Sequence, residues 1–280
     1  MTNTMVIVAQ FRGWRSQAGD WPPATDDLRL VGVSALLFAA SAVGTIVWCA
    51  SMSAMGGMPM PGGWTMSMSW MRMPRQTWTG AAASFLAMWM VMMVAMMLPS
   101  VVPMLCRYRR AVDEAAGKRL ARLTTLVGIG YFVVWAVFGM AAFPLGVALA
   151  AIEMQQPALA RAVPDAVGVV TLIAGLLQFT AWKARHLARC REAPGRTLPA
   201  DAGTAWRYGL RLGLQCSRGC AGLMTLCLVL GMMNLQVMAA VTAAITIERL
   251  APAGARAARA IGAVVVGSGL ILIARAAGLG

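Results

Sequence analysis

Six long apolar runs set the limits on what this chain can fold into. They cover about 30–50, 79–105, 123–151, 166–186, 216–247 and 258–279. Each reaches the roughly 20 residues that a helix needs to cross a hydrocarbon layer of about 30 Å. Backbone in lipid must satisfy its own hydrogen bonds, so runs of this length fold as helices. Charged residues make up 12% of the chain, half the roughly 25% of a soluble domain. The mean hydropathy of +0.69 agrees. The expected fold class is all-α: a polytopic integral membrane helix bundle of about six transmembrane helices, with no sizeable soluble domain.

The charge pattern sets the expected topology. The formal net charge is +14, but the cations gather in short segments between apolar runs. That pattern reads as membrane topology and anionic headgroups rather than nucleic acid, and no nucleic-acid-binding motif is visible. Segment 107–122 holds Arg107, Arg109, Arg110, Lys118, Arg119 and Arg122, and segment 183–215 holds Lys183 and six arginines. Both are expected on the cytoplasmic side. Loop 51–78 has only Arg72 and Arg75, and loop 152–165 only Arg161, so both are expected outside. Six crossings then put both termini inside. This arrangement leaves 248–260 outside despite Arg249, Arg256 and Arg259. Residues 1–29 read as a cytoplasmic N-terminal segment without a cleavable signal peptide, and 30–280 as the membrane domain. Trp48, Trp78, Trp182 and Trp206 fall at the expected interfaces.

The chain has 23 methionines. Eight lie in the external loop 51–78: Met52, Met55, Met58, Met60, Met66, Met68, Met71 and Met73. Their neighbours are Gly, Pro, Ser and Trp. A flexible chain of thioethers there would collect Cu(I) or Ag(I), because soft sulfur prefers soft cations. A membrane-skimming or partner-contacting loop would use methionine equally well. In the second run, "MWMVMMVAMMLPS", Met90, Met93, Met97 and Met104 share one helical face. Met88, Met92 and Met96 step by four beside them. Such a stripe alone is more often packing than a metal path. Pro99 and Pro103 are expected to bend or weaken the cytoplasmic end of this helix.

The fifth run, "CSRGCAGLMTLCLVLGMMNLQVM", places Cys216, Cys220, Met224, Cys227, Gly231, Asn234 and Met238 at spacings of three and four. On one helix they form a continuous seam. Asn234 would be an intramembrane amide, costly without a partner, or a packing residue bonded to a backbone carbonyl. The fourth run brings Gln178 near its inner end, then His186 and Cys190 four residues apart. His186, Cys190, Cys216 and Cys220 make two i,i+4 pairs. Together they would suit tetrahedral Zn(II), and a subset would suit Cu(I). Arg218, between the two cysteines, could favour thiolate.

The stretches "MVMMVAMMLPS", "GYFVVW", "QFTAWKARHLARCR", "GLQCSRGCAGLM" and "GMMNLQVMAAVTAAITIERL" together resemble the DUF2182 family of predicted metal-binding integral membrane proteins. The resemblance covers about 79–250. It implies that Met93, Met96, Met97 and Pro99 match the family's Met-Met-Pro motif. It likewise places Gln178, Lys183, Cys190 and Arg191 in a fourth-helix motif. Cys216, Cys220, Met224, Gly231, Met233, Asn234, Met238 and Glu248 match a fifth-helix motif. The chain departs from the pattern at His186 and Gly219, where the family carries cysteine.

The expectation is a protein of a bacterial inner (cytoplasmic) membrane that handles a soft metal ion, most readily Cu(I), as a permease or metal-delivery factor. Its metal ligands would come from Met93, Met96, Met97, His186, Cys190, Cys216, Cys220, Met224, Cys227 and Met238, with Gln178 and Asn234 as intramembrane polar groups. Expected partners are the lipid bilayer, the ion, and a copper protein or other membrane subunits. The alternative is a non-catalytic accessory subunit with structural zinc. An enzyme is not expected, since no carboxylate pair or second histidine lies in the membrane. No phosphate-binding loop motif is present to drive transport with ATP.

Overall fold

The computed structural model describes residues 25–72, 75–191 and 199–278. Most of the expected N-terminal segment, together with Met73, therefore lies outside the described residues. The helices are α1 (Thr25–Ala54), α2 (Trp78–Ala116), α3 (Leu120–Gln155), α4 (Pro157–Leu177), α5 (Ala181–Arg191), α6 (Ala202–Val229), α7 (Leu235–Leu250) and α8 (Gly254–Ala276). Six of them, α1, α2, α3, α4, α6 and α8, are long and apolar enough to cross a membrane. The all-α bundle expected from the apolar runs is thus present. More than half of the apolar window is buried in α2 and α6 (61% and 56%), against 17–28% in the other four. These two form the centre, and the others present apolar faces outward.

The direction of each helix follows from its contacts. Asp27, at the start of α1, pairs with Arg109 near the end of α2 (3.3 Å), so these helices are antiparallel. Trp89 of α2 donates its indole N–H to the Trp135 carbonyl of α3 (2.8 Å), and Phe85 meets Phe143. In α3 and α6, Gly130 abuts Trp206 and Gly213 abuts Val134, so these two run parallel. Glycine lets the two backbones touch. In α4 and α8, Gly168 meets Ile273, Gly175 meets Val266, and Gln178 meets Gly262, an antiparallel pair. α2 runs unbroken through Pro99 and Pro103. Between the two prolines, Ser100 donates its hydroxyl to the Met97 carbonyl (2.9 Å).

The fifth run differs from expectation. It is not one helix over 216–247. α6 ends at Val229, Gly231 takes φ +108°, and α7 starts at Leu235. Glycine at this place after a helix end takes the left-handed turn at no steric cost. Asn234 then caps α7, its Oδ1 accepting from the Gln236 and Val237 N–H groups (3.0 and 3.2 Å). It is an exposed cap, not an amide on a buried seam, and its neighbour Met238 sits on a different helix from Cys216. α7 runs back through the bundle beside α2 and ends with Glu248 against Lys183 of α5.

This hairpin corrects the topology. Segment 248–260 lies at the same end as α5, together with the other basic segments. The strain in the expected topology at Arg249, Arg256 and Arg259 is thereby removed. α8 then ends beside the start of α4, so the start of α1 and the end of α8 lie at opposite ends of the bundle, where the expected topology had both on one side.

The fourth run also divides, into α4 and α5, at Gln178–Thr180. Segment 152–165 is not an open loop: α3 reaches Gln155 and α4 starts at Pro157, with proline at the first helical position where its missing N–H costs nothing.

The methionine loop is folded rather than a flexible chain. Met58–Met60 and Trp64–Met66 form an antiparallel hairpin, followed by a 3-10 turn at Met68–Trp70. Met60 and Met66 are buried with Ala150 and Ala160. The Trp64 indole donates to the Ala160 carbonyl (2.8 Å), and Trp70 packs on Phe85. Met52, Met58, Met68 and Met71 are half-buried and Met55 is exposed. The loop is a lid over the ends of α3 and α4, opposite the basic end.

Candidate metal centre

Sulfur converges where α2, α3, α5, α6 and α7 meet, towards the basic end. Cys216 is fully buried on α6. Its Sγ lies 3.9 Å from Met97 Sδ on α2 and is hydrogen-bonded to the Tyr131 hydroxyl of α3 (2.8 Å). Cys220, one turn on, points its thiol to the Cys216 carbonyl (3.0 Å). Cys190 on α5 donates to the Gln215 carbonyl (3.5 Å). Two sulfurs held about 2.3 Å from one ion in trigonal geometry stand about 4.0 Å apart. The Cys216–Met97 pair already has that spacing.

A cation sits among these thiols, and it is not Arg218, which is exposed. It is Arg249, at the end of α7 and 4% exposed. Its guanidinium approaches Cys190 Sγ at 3.8 Å and acts electrostatically on Cys216, Tyr131 and Cys220 as well. Beside it, Lys183 Nζ donates to Glu248 Oε2 and to the Gly219 carbonyl, both at 2.6 Å. This buried pair ties α5, α6 and α7 together. Burial pushes the Cys190 thiol pKa up, and Arg249 opposes the shift.

Other expected ligands are distributed as follows. Met93, Met96 and Met97 are fully buried on α2, and Met224, Cys227 and Met238 are buried in the same core. His186 is apart from it. On α5, Lys183, Leu187 and Cys190 face the bundle, whereas His186 is only half-buried and edge-on to Trp182 (ring centroids 4.5 Å). Desolvation and the guanidinium groups of Arg189, Arg218 and Arg185 hold its imidazole below the usual pKa. Among the described residues, no three of His, Cys, Asp and Glu stand together as a metal-holding group. The structure therefore does not assemble His186, Cys190, Cys216 and Cys220 into a tetrahedral set.

Gln178 caps α4 and is buried with neither amide atom hydrogen-bonded. Gly219 faces the centre: a Cβ there would stand 3.8 Å from Cys190 Sγ and 4.0 Å from Arg249 Nη2. The cysteine that the motif resemblance implies at this position would thus have stood beside these thiols. Neither Arg249 nor Tyr131 carries a spacing signal in the sequence that marks it as part of the centre. Arg249 stands two residues past the apolar run, after Glu248, but only the α6–α7 hairpin brings it back to Cys216.

No curated protein and no solved structure matches the chain. A family model, PpoB2, described as copper chaperone, matches residues 86–272. The match runs from α2 to α8 and contains every residue of the sulfur centre. The match covers well over half of the chain, and this chain therefore belongs to the PpoB2 copper chaperone family.

Proposed function

We propose that this protein is an integral membrane carrier of Cu(I), holding the ion on Cys216, Cys220 and Met97, with Cys190 adjacent, for delivery rather than catalysis. The observation that carries this reading is a buried sulfur centre with one resident cation, Arg249, besides the Lys183–Glu248 pair, whose charges cancel. Charge must balance where water is scarce, because an uncompensated buried charge is costly. Two thiolates and one Cu(I) sum to −1, and Arg249 brings the total to zero. Two thiolates, Zn(II) and Arg249 would leave +1. Thioether and thiolate ligands also favour Cu(I) by softness. Binding releases two thiol protons, and the basic end is their route to water.

The excess of arginine and lysine at that end supports a cytoplasmic orientation, in a bacterial inner membrane. The folded methionine lid would then face outside. The test is copper and zinc content of the purified protein, with Cys190→Ser and Cys216→Ser alongside. Copper should fall sharply in Cys216→Ser and in part in Cys190→Ser. Unchanged copper in both variants would sink the inner centre.

A further inference from the structure

A second group of sulfurs lies towards the lid end, away from the centre described above. Cys49 near the end of α1, Met88 and Met92 on α2, and Met232 and Met233 in the α6–α7 turn line a single small cavity, closed by Thr45, Trp48 and Val91. Cys49 is 3% exposed, Met92 3%, Met232 3% and Met88 7%. The Cys49 thiol is directed at Met233 Sδ, 3.8 Å away. That is again close to the roughly 4.0 Å expected of two sulfurs sharing one ion in trigonal geometry at about 2.3 Å each.

The cavity volume is about 10 Å³, at the lower edge of the ~10–15 Å³ that one water needs. Its walls would hold a water poorly. A buried water wants two to four polar partners, and the Thr45 hydroxyl is already donated to the Ser41 carbonyl (2.8 Å). A desolvated soft ion meets sulfur on three elements.

The geometry points to this cavity as a second Cu(I) site, with Cys49 as the thiolate and Met92, Met233 and their neighbours as thioethers. Binding transfers the Cys49 proton to solvent, and one thiolate with Cu(I) is neutral. No lysine or arginine lines the cavity, and none is required. A divalent ion would leave an unbalanced charge. The turn that divides the fifth run has a role here: Gly231, at φ +108°, swings Met232 and Met233 towards α1 and α2. Met92 and Met97 are five residues apart on α2, a rise of about 7.5 Å. One helix therefore serves both centres, with the buried Met93 and Met96 between them. The identity of the ion rests on the Cu(I) reading proposed above; the site does not.

The experiment is Ag(I) and Cu(I) stoichiometry by elemental analysis of the full chain purified in detergent under reducing conditions, with X-ray absorption at the copper edge. The expected result is two ions per chain in sulfur-only shells. Cys49→Ser should lose one, Cys216→Ser the other, and the double variant both. Met233→Leu, which preserves volume, should weaken the lid-end ion at least tenfold without disturbing the elution profile, so a folding defect in Cys49→Ser does not decide the matter. One ion that is lost in Cys216→Ser and kept in both Cys49→Ser and Met233→Leu overturns the second site and leaves the inner one standing. One ion with the reverse pattern overturns the inner centre alone. No bound ion overturns both.

Discussion

Replacing Lys183 with methionine removes a cation that is buried with its partner. The Lys183 and Glu248 side chains are 5% and 3% exposed and 2.6 Å apart. At an effective dielectric of about 20, their attraction is about 6 kcal/mol. Desolvating both ions cancels most of it, so the intact pair contributes little net stability. Deleting one partner is different, because Glu248 then stays buried without its ammonium and the Gly219 carbonyl loses a donor. The expected cost is about 3–5 kcal/mol, or two to three and a half decades in the folding equilibrium at about 1.4 kcal/mol per decade.

The double variant Lys183→Met/Glu248→Gln leaves no isolated charge and should recover at least about 2 kcal/mol of that loss. The assay is denaturant titration in micelles, followed by the intrinsic fluorescence of the ten tryptophans. Single-variant costs under about 1 kcal/mol would match a solvated surface pair. Costs that simply add in the double variant would show no coupling. Either result refutes a desolvated clamp holding α5, α6 and α7 around the thiols.

Gly209→Ala should destabilise by about 1–3 kcal/mol, since its Cβ would run into the Val127 carbonyl of α3; Gly219→Ala, with 3.8 Å of clearance, should be near neutral in the same titration. Asn234→Ala removes the α7 cap and should cost about 1 kcal/mol with copper content at the inner centre unchanged; loss of that copper would return Asn234 to the site. His186→Ala should leave copper stoichiometry as in the parent protein, and a lost ion would show that His186 is a ligand after all. Gly219→Cys should add a third thiolate beside Arg249 and raise zinc uptake relative to copper, measured by elemental analysis.

What the solvent demands was legible from residue order alone. Long uncharged runs can only be helices in lipid, and their number and approximate bounds were legible for α1, α2, α3 and α8. The methionine and cysteine positions also announced soft-metal chemistry, because donor type is written in composition. What sequence periodicity could not fix was where an apolar run turns round. Beyond Arg218 the run has no charge before Glu248 to mark a boundary, and only local signals, Gly231 followed by Asn234, betray the hairpin. Once it forms, α7 returns to the basic end. Arg249 meets Cys190 and Cys216, Lys183 meets Glu248, and Met233 meets Cys49. These pairs are separated by 33 to 184 residues along the chain. Their meeting depends on helix direction and close glycine contacts. Likewise, i,i+4 spacing put His186 and Cys190 near one face, but the packing of α5 buried Lys183, Leu187 and Cys190 and left His186 at the edge. Spacing tells which residues can share a helix face. Tertiary structure decides what that face meets, because burial is a property of two surfaces and only one of them is in the local sequence.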